Sequence, residues 1–352
     1  MFLKDVMGIG LAVVLLTTSG CAGTGQPESD QAESSSSASQ VESSSSAPAV
    51  SAPPQTTEGW VELFKDGTFE KGLKIVSVDR TNRKVVDFAD SERKSGTRWE
   101  LTQHFSKYDL ITEEPVTNAD GSVSYENPGK RVTMKEENGE NILQMEMFAS
   151  QEYDAPRQEG EDWPHLLIEQ NLGSDTLDTY DQMIFSMTIR KDYIRNVMGN
   201  DYNPSLHCYQ TGMIFIVQNL NTQSAGYGDD YFWFGIPGFD SREEYKSEYC
   251  NVDGGKADAS GKLIYQLGGK NFFDTYYTAN PMTSDGEWVT VTIDILPSLK
   301  KAFNTAQRVG YMGKSSFEDL RLQGVNFGCE CTGTFDASVS IKNVSLLCHK
   351  AE

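Results

Sequence analysis

The chain has 352 residues, 38% of them apolar, and a formal net charge of −21. That acidic excess disfavours nucleic acid and anionic membrane surfaces as partners, because both require a basic face, and it leaves neutral or cationic ones. With four histidines at 104, 165, 207 and 349, none spaced as a metal pair, the sequence also argues against a zinc site or a histidine-based catalytic triad.

Residues 1–20 read as a secretory signal: Lys4 near the start, an apolar run from Val6 to Leu16 too short to span a bilayer, then small residues. Thr18-Ser19-Gly20-Cys21 follows it, and residues 21–59 form a Ser/Pro-rich tether. Within this tether a Glu-Ser-Ser-Ser-Ser-Ala unit at Glu33 recurs at Glu42. Such composition buries no core and is expected to be disordered.

Residues 60–352 are expected to be one folded domain. Strands are predicted from Trp60, over Leu73–Val78 and Lys84–Phe88, and weakly over Arg98–Phe105. The run from 106 to 130 is rich in turn signals. Arg131–Lys135 and Ile142–Phe148 flank Asn138-Gly139, the strongest hairpin signal in the chain. His165–Gln170 and Met183–Arg190 are further strands, Asp192–Met198 reads as a short helix, and 192–211 as a long loop. Met213–Val217 and Tyr231–Ile236 form a strand–loop–strand unit. Lys262–Leu267 and Trp288–Ile295 follow, the latter with Val289, Val291, Ile293 and Ile295 on one face. Pro297 opens a helix with Leu299, Ala302, Phe303 and Ala306 at helical spacing and Gly310 as its stop. Ser315 to Glu318 is a candidate capping box. Leu320–Gly328 and Ser338–Leu347 close the chain. Many short strands, little helix and no βαβ rhythm predict an all-β fold: a single jelly-roll-like antiparallel β-sandwich with one or two short helices, preceded by the tether.

Three fragments carry a resemblance. Gly59-Trp60-Val61-Glu62-Leu63-Phe64 resembles the opening of concanavalin A-like sandwich domains of secreted carbohydrate-active proteins. Gly286 to Asp294 resembles their late central strand. Phe335 to Leu346 resembles the closing strand of jelly-roll carbohydrate-binding modules. Thr18 to Cys21 likewise resembles a bacterial lipobox, with Thr18 where Leu is usual; that resemblance implies diacylglycerol on Cys21 and a chain anchored at the extracytoplasmic face of the membrane.

No G-x-S-x-G, H-E-x-x-H or phosphate-loop motif occurs. Sugars present C–H faces to aromatic rings and hydroxyls to planar polar groups. Tyr231 and Trp233 alternate with Phe232, Phe234 and Ile236, so they are candidate stacking faces. The alternative is that Trp233 packs beneath a loop. Glu169, Arg190, Gln218, Asn219 and Asn326 are candidate hydrogen-bonding groups, with Arg242 following the aromatic strand. The resulting expectation is a non-catalytic glycan-binding lipoprotein. A glycan-cleaving hydrolase or lyase, using carboxylates such as Glu169, Asp294 or Glu330, and a structural lipoprotein without a small ligand are the alternatives. No cofactor is expected beyond a structural calcium at Asp229-Asp230 or Asn118/Asp120. Cys208, Cys250, Cys329, Cys331 and Cys348 read as buried thiols, with Cys348 bridged to Cys329 or Cys331 as the other reading.

Overall fold

A computed structural model describes residues 58–79, 81–88, 99–254 and 260–351. The expected signal peptide, Cys21 and nearly all of the tether lie outside these residues. The strands are, in chain order, β1 (Trp60–Glu62), β2 (Leu73–Val76), β3 (Val85–Phe88), β4 (Trp99–Thr102), β5 (Val116–Thr117) and β6 (Val123–Asn127). Then come β7 (Lys130–Glu137), β8 (Glu140–Phe148), β9 (His165–Asn171), β10 (Tyr180–Asn196), β11 (Tyr209–Asn219) and β12 (Tyr231–Asp240). The last are β13 (Tyr249–Val252), β14 (Leu263–Gln266), β15 (Val289–Asp294), β16 (Leu320–Cys331) and β17 (Phe335–Lys350). Three helices join them: α1 (Ala149–Glu152), α2 (Lys270–Tyr276) and α3 (Leu296–Arg308).

The chain is a two-sheet β-sandwich of jelly-roll type. An eight-stranded sheet runs β15-β10-β17-β8-β7-β6-β5, with β1 also paired to β17; a nine-stranded sheet runs β13-β14-β12-β11-β16-β9-β4-β2-β3. All pairings are antiparallel except β12 with β14 and β2 with β4. The inward faces meet in an aromatic core. Phe185 of β10 lies edge-on to Phe215 of β11 at 6.0 Å, and Phe64 stacks on Phe215 at 6.3 Å. Each such ring contributes about 1.5–3 kcal/mol by leaving water.

Local chemistry explains the elements. Asn138 and Gly139 both take positive φ, 55° and 81°, as the two-residue turn between β7 and β8 requires. Val289, Val291 and Ile293 are buried while the residues between them are half-buried, so β15 keeps its period of two. The helix opened by Pro297 is α3, which buries Leu299, Ala302, Phe303 and Ala306 against β10 and β12.

Several expectations are corrected. The predicted helix at Asp192–Met198 is the end of β10, which runs to Asn196 through a bulge between Lys191 and Tyr193 that breaks the alternation. The predicted loop at 192–211 therefore shrinks to 197–208, and 106–130 contains β5, β6 and a 3-10 turn. The capping box lies one residue on, between Ser316 and Asp319. Helix α2 has no counterpart in the sequence reading. No disulfide occurs among the described residues: Cys208, Cys329, Cys331 and Cys348 are buried thiols and Cys250 is half-buried. Cys329 and Cys331 share the core face of β16, as their spacing requires.

Candidate functional site

The outward face of the nine-stranded sheet brings chemistry together through register. Three rows of side chains cross its central strands, about 6.6 Å apart, two residues along a strand. The first row runs Glu100, Glu169, Asn326, Ile214, Gly235, Gln266 and Tyr249 over β4, β9, β16, β11, β12, β14 and β13. The middle row is Thr102, Leu167, Gly328, Gly212 and Pro237. The third is His165, Glu330, Gln210 and Asp240, the last carried into line by a bulge between Thr211 and Gly212 in the β11–β12 pairing.

Glycine makes the middle row a floor. A Cβ on Gly328 would sit 2.1 Å from the carbonyl oxygen of Leu166, and one on Gly212 would sit 3.0 Å from the carbonyl oxygen of Ile236. No side chain can replace hydrogen there without moving its neighbour. The polar rows therefore stand as walls around a narrow cleft lined by Gln210, Gln266, Asn326, Glu330, Lys246 and Tyr249 among others. The enclosed volume is about 30 Å³, room for a hydroxyl or hydroxymethyl group and not for a sugar ring.

The third row is a continuous hydrogen-bonded chain. Trp163 Nε1 donates to Glu330 Oε2 at 3.3 Å, Gln210 Nε2 donates to the same oxygen at 3.5 Å, and His165 Nε2 lies 3.5 Å from it. Lys246 Nζ donates to Gln210 Oε1 at 3.1 Å and to Asp240. Arg242 donates to both oxygens of Asp240, at 2.9 and 2.6 Å. Burial by itself would raise the Asp240 carboxyl; the two cations beside it outweigh that and hold it well below the usual carboxylate range. On the opposite wall Glu169 Oε1 accepts from Thr102 at 3.1 Å and lies 3.4 Å from His104 Nε2. Asn326, 7% exposed, carries a buried Oδ1 with no hydrogen-bond partner among the described residues. Such an orphaned acceptor in a cleft calls for a donor from outside.

The expected site residues separate. Glu169 and Asn326 are neighbours in one row. Arg242 reaches the far end of the third row, committed to Asp240. Arg190 lies on the other sheet, bound to Asp192 at 2.6 Å and Glu137 at 3.3 Å, with its guanidinium over Trp288. Tyr231 and Trp233 face outward from β12 but are 7% and 2% exposed, packed with Ile214 and Ile264 in a second apolar cluster; Trp233 Nε1 lies 3.4 Å from Ser260 Oγ. They form no open stacking face, which corrects the platform reading. Gln218 and Asn219 pin the 220–230 loop, and Asp294 accepts from the backbone N–H groups of Met183 and Leu296. Asp230 accepts from Ser315 and the Lys314 N–H, Asp120 from Ser122, and no cluster of metal ligands occurs among the described residues.

Sequence reasoning missed Phe105. It is 37% exposed beside the third row, 5.8 Å from the His165 ring, and its φ of +53° is unusual for a bulky residue. Its position at the end of a weakly alternating run offered no signal. Glu330 enters the sequence reading as one of three candidate carboxylates of the cleavage alternative, and Trp163 and Gln210 have no place in it.

No protein family and no curated protein matches the chain. Solved structures with a related outline include the family 11 xylanase of Neocallimastix patriciarum, 9% identical over 72% of this chain and 97% of that one, TM-score 0.33. The family 12 xyloglucanase of Bacillus licheniformis is 14% identical over 67% and 97%, TM-score 0.36. Endoglucanase cel12A of Rhodothermus marinus is 11% identical over 68% and 97%, TM-score 0.33. At such distance no residue role and no chemistry passes from them to this chain.

Proposed function

We propose that the protein binds a glycan across the outward face of the nine-stranded sheet, with one hydroxyl or hydroxymethyl group entering the cleft between the Asn326 and Glu330 rows. The observation that carries the reading is the buried Asn326 Oδ1, without a partner among the described residues, beside a glycine-floored cleft walled by amides and a carboxylate. Planar amides and carboxylates match hydroxyl geometry, and Phe105 supplies an exposed ring beside them. The net charge of −21 favours a neutral or amino sugar over a uronate or sulfated chain. Binding of the full chain to a panel of neutral, amino and acidic polysaccharides tests this; retention of none, or of acidic chains alone, overturns it.

One observation favours a second reading, cleavage. Glu169 and Glu330 flank the glycine floor from adjacent strands, each within 3.5 Å of a histidine. A hydrolase needs two carboxyl groups about 5–10 Å apart across the scissile bond. Release of reducing ends from a retained polysaccharide, abolished by Glu330→Gln, would establish it. Under the binding reading Glu330→Gln weakens retention several-fold and no ends are released, since a neutral acceptor replaces a charged one.

We also propose that Cys21 carries a diacylglycerol and tethers the domain outside the cytoplasm, from the apolar segment and lipobox-like tetrad before it and the Ser-rich stretch after it. Wild type should partition into the detergent phase and Cys21→Ser into the aqueous phase; equal partitioning would contradict it.

A further inference from the structure

A second cavity lies far from the cleft, where the β2–β3 end of the nine-stranded sheet faces the β5–β6–β7 end of the eight-stranded one. Its volume is about 400 Å³, and Phe88, Val123, Tyr125, Met134 and Pro115 line its apolar part. That size lies in the range of small-molecule sites. Phe88 and Tyr125 meet edge to face, ring centroids 4.8 Å apart at 69°, and form a wall of two rings. Tyr125 is 5% exposed as a residue; its hydroxyl makes no hydrogen bond to another described residue and is not one of the fully buried unpartnered atoms, so its oxygen keeps access to solvent. A phenol on a cavity wall whose hydroxyl is uncommitted among the described residues can donate to a ligand held there.

The charge around it is acidic. Glu136 is at the rim, and the amine of Lys135 is committed to Glu137 at 3.0 Å. Burial first, then Glu114 and Asp87, push the Tyr125 phenol up. The hydroxyl therefore stays protonated at neutral pH and serves as a donor. We propose that this chamber binds a small ring-bearing compound, uncharged or cationic, that offers one hydrogen-bond acceptor to Tyr125.

The test uses the full chain with 2-naphthamide and its anionic counterpart 2-naphthoate, by isothermal titration calorimetry. The amide is expected to bind and the carboxylate to bind at least roughly tenfold more weakly, from the acidic surroundings. Tyr125→Phe should weaken the amide roughly five- to tenfold, the worth of one hydrogen bond, and leave the melting temperature unchanged, since no internal bond is lost. Met134→Trp, which fills the chamber, should abolish binding. Absence of amide binding at millimolar concentration, equal affinity for the carboxylate, equal affinity of Tyr125→Phe, or retained binding by Met134→Trp each overturns the proposal. A clear fall in melting temperature for Tyr125→Phe also overturns it, because the hydroxyl would then have a structural partner.

Discussion

Asp240 is the residue on which the third row depends. It is fully buried between Arg242 and Lys246, and Lys246 in turn holds Gln210 toward Glu330. Asp240→Asn leaves two cations without their counter-charge and should cost about 3–5 kcal/mol at neutral pH, the scale of a broken buried pair. The folded-state value of this carboxyl is depressed, so its contribution is complete above the unfolded value of about 3.9 and is lost as pH falls toward the lower folded value. Melting temperatures from pH 7 to 3 should show the gap between wild type and variant constant above about pH 5 and closing below it. A gap that widens on acidification would contradict the assignment. None of this was legible beforehand. In the sequence Arg242 follows the aromatic strand as a hydrogen-bonding candidate and Asp240 carries no signal, and their link to Gln210 and Glu330 exists only through a bulge at the Thr211/Gly212 step of the β11–β12 register.

At the scale of the element, β12 tests what alternation can and cannot say. Its two faces were legible: Phe232, Phe234 and Ile236 go to the main core, and Tyr231 and Trp233 go outward. What covers the outward pair was not legible, because β14 and Ser260 come from a segment more than twenty residues later that joins β12 in parallel. Both faces being buried, Trp233→Ala should destabilise about as much as Phe234→Ala, about 3–5 kcal/mol each. Denaturant melts side by side decide it, and a Trp233→Ala protein as stable as wild type would contradict the packing. The same contrast runs through the other elements. Asn138-Gly139 and the clean period of β15 were readable because turn chemistry and a buried face act locally. The end of β10 was misread because a bulge shifts its alternation by one. The glycine floor of Gly212 and Gly328 was invisible because the two glycines lie more than a hundred residues apart in sequence and acquire meaning only from the pairing of β11 with β16.

At the scale of the whole molecule, the sandwich has one face of each sheet turned outward, and the two faces differ. On the eight-stranded sheet Asp192 gathers Ser338, Ser340, Gln144 and Arg190, a polar surface whose groups satisfy one another. On the nine-stranded sheet the central strands leave a cleft with an acceptor still to be met at Asn326. The central claim is that a glycan is held on the second face and not the first. The most direct test is affinity electrophoresis through a gel containing a polysaccharide that the wild type retains, run with Asn326→Ala, Glu330→Gln and Arg190→Ala at matched folding. The account predicts that Asn326→Ala and Glu330→Gln migrate faster than wild type, with retention weakened by roughly 1–3 kcal/mol for the better contact, while Arg190→Ala is retarded as wild type is. Unchanged retardation of the first two together with loss of retardation in Arg190→Ala would contradict it.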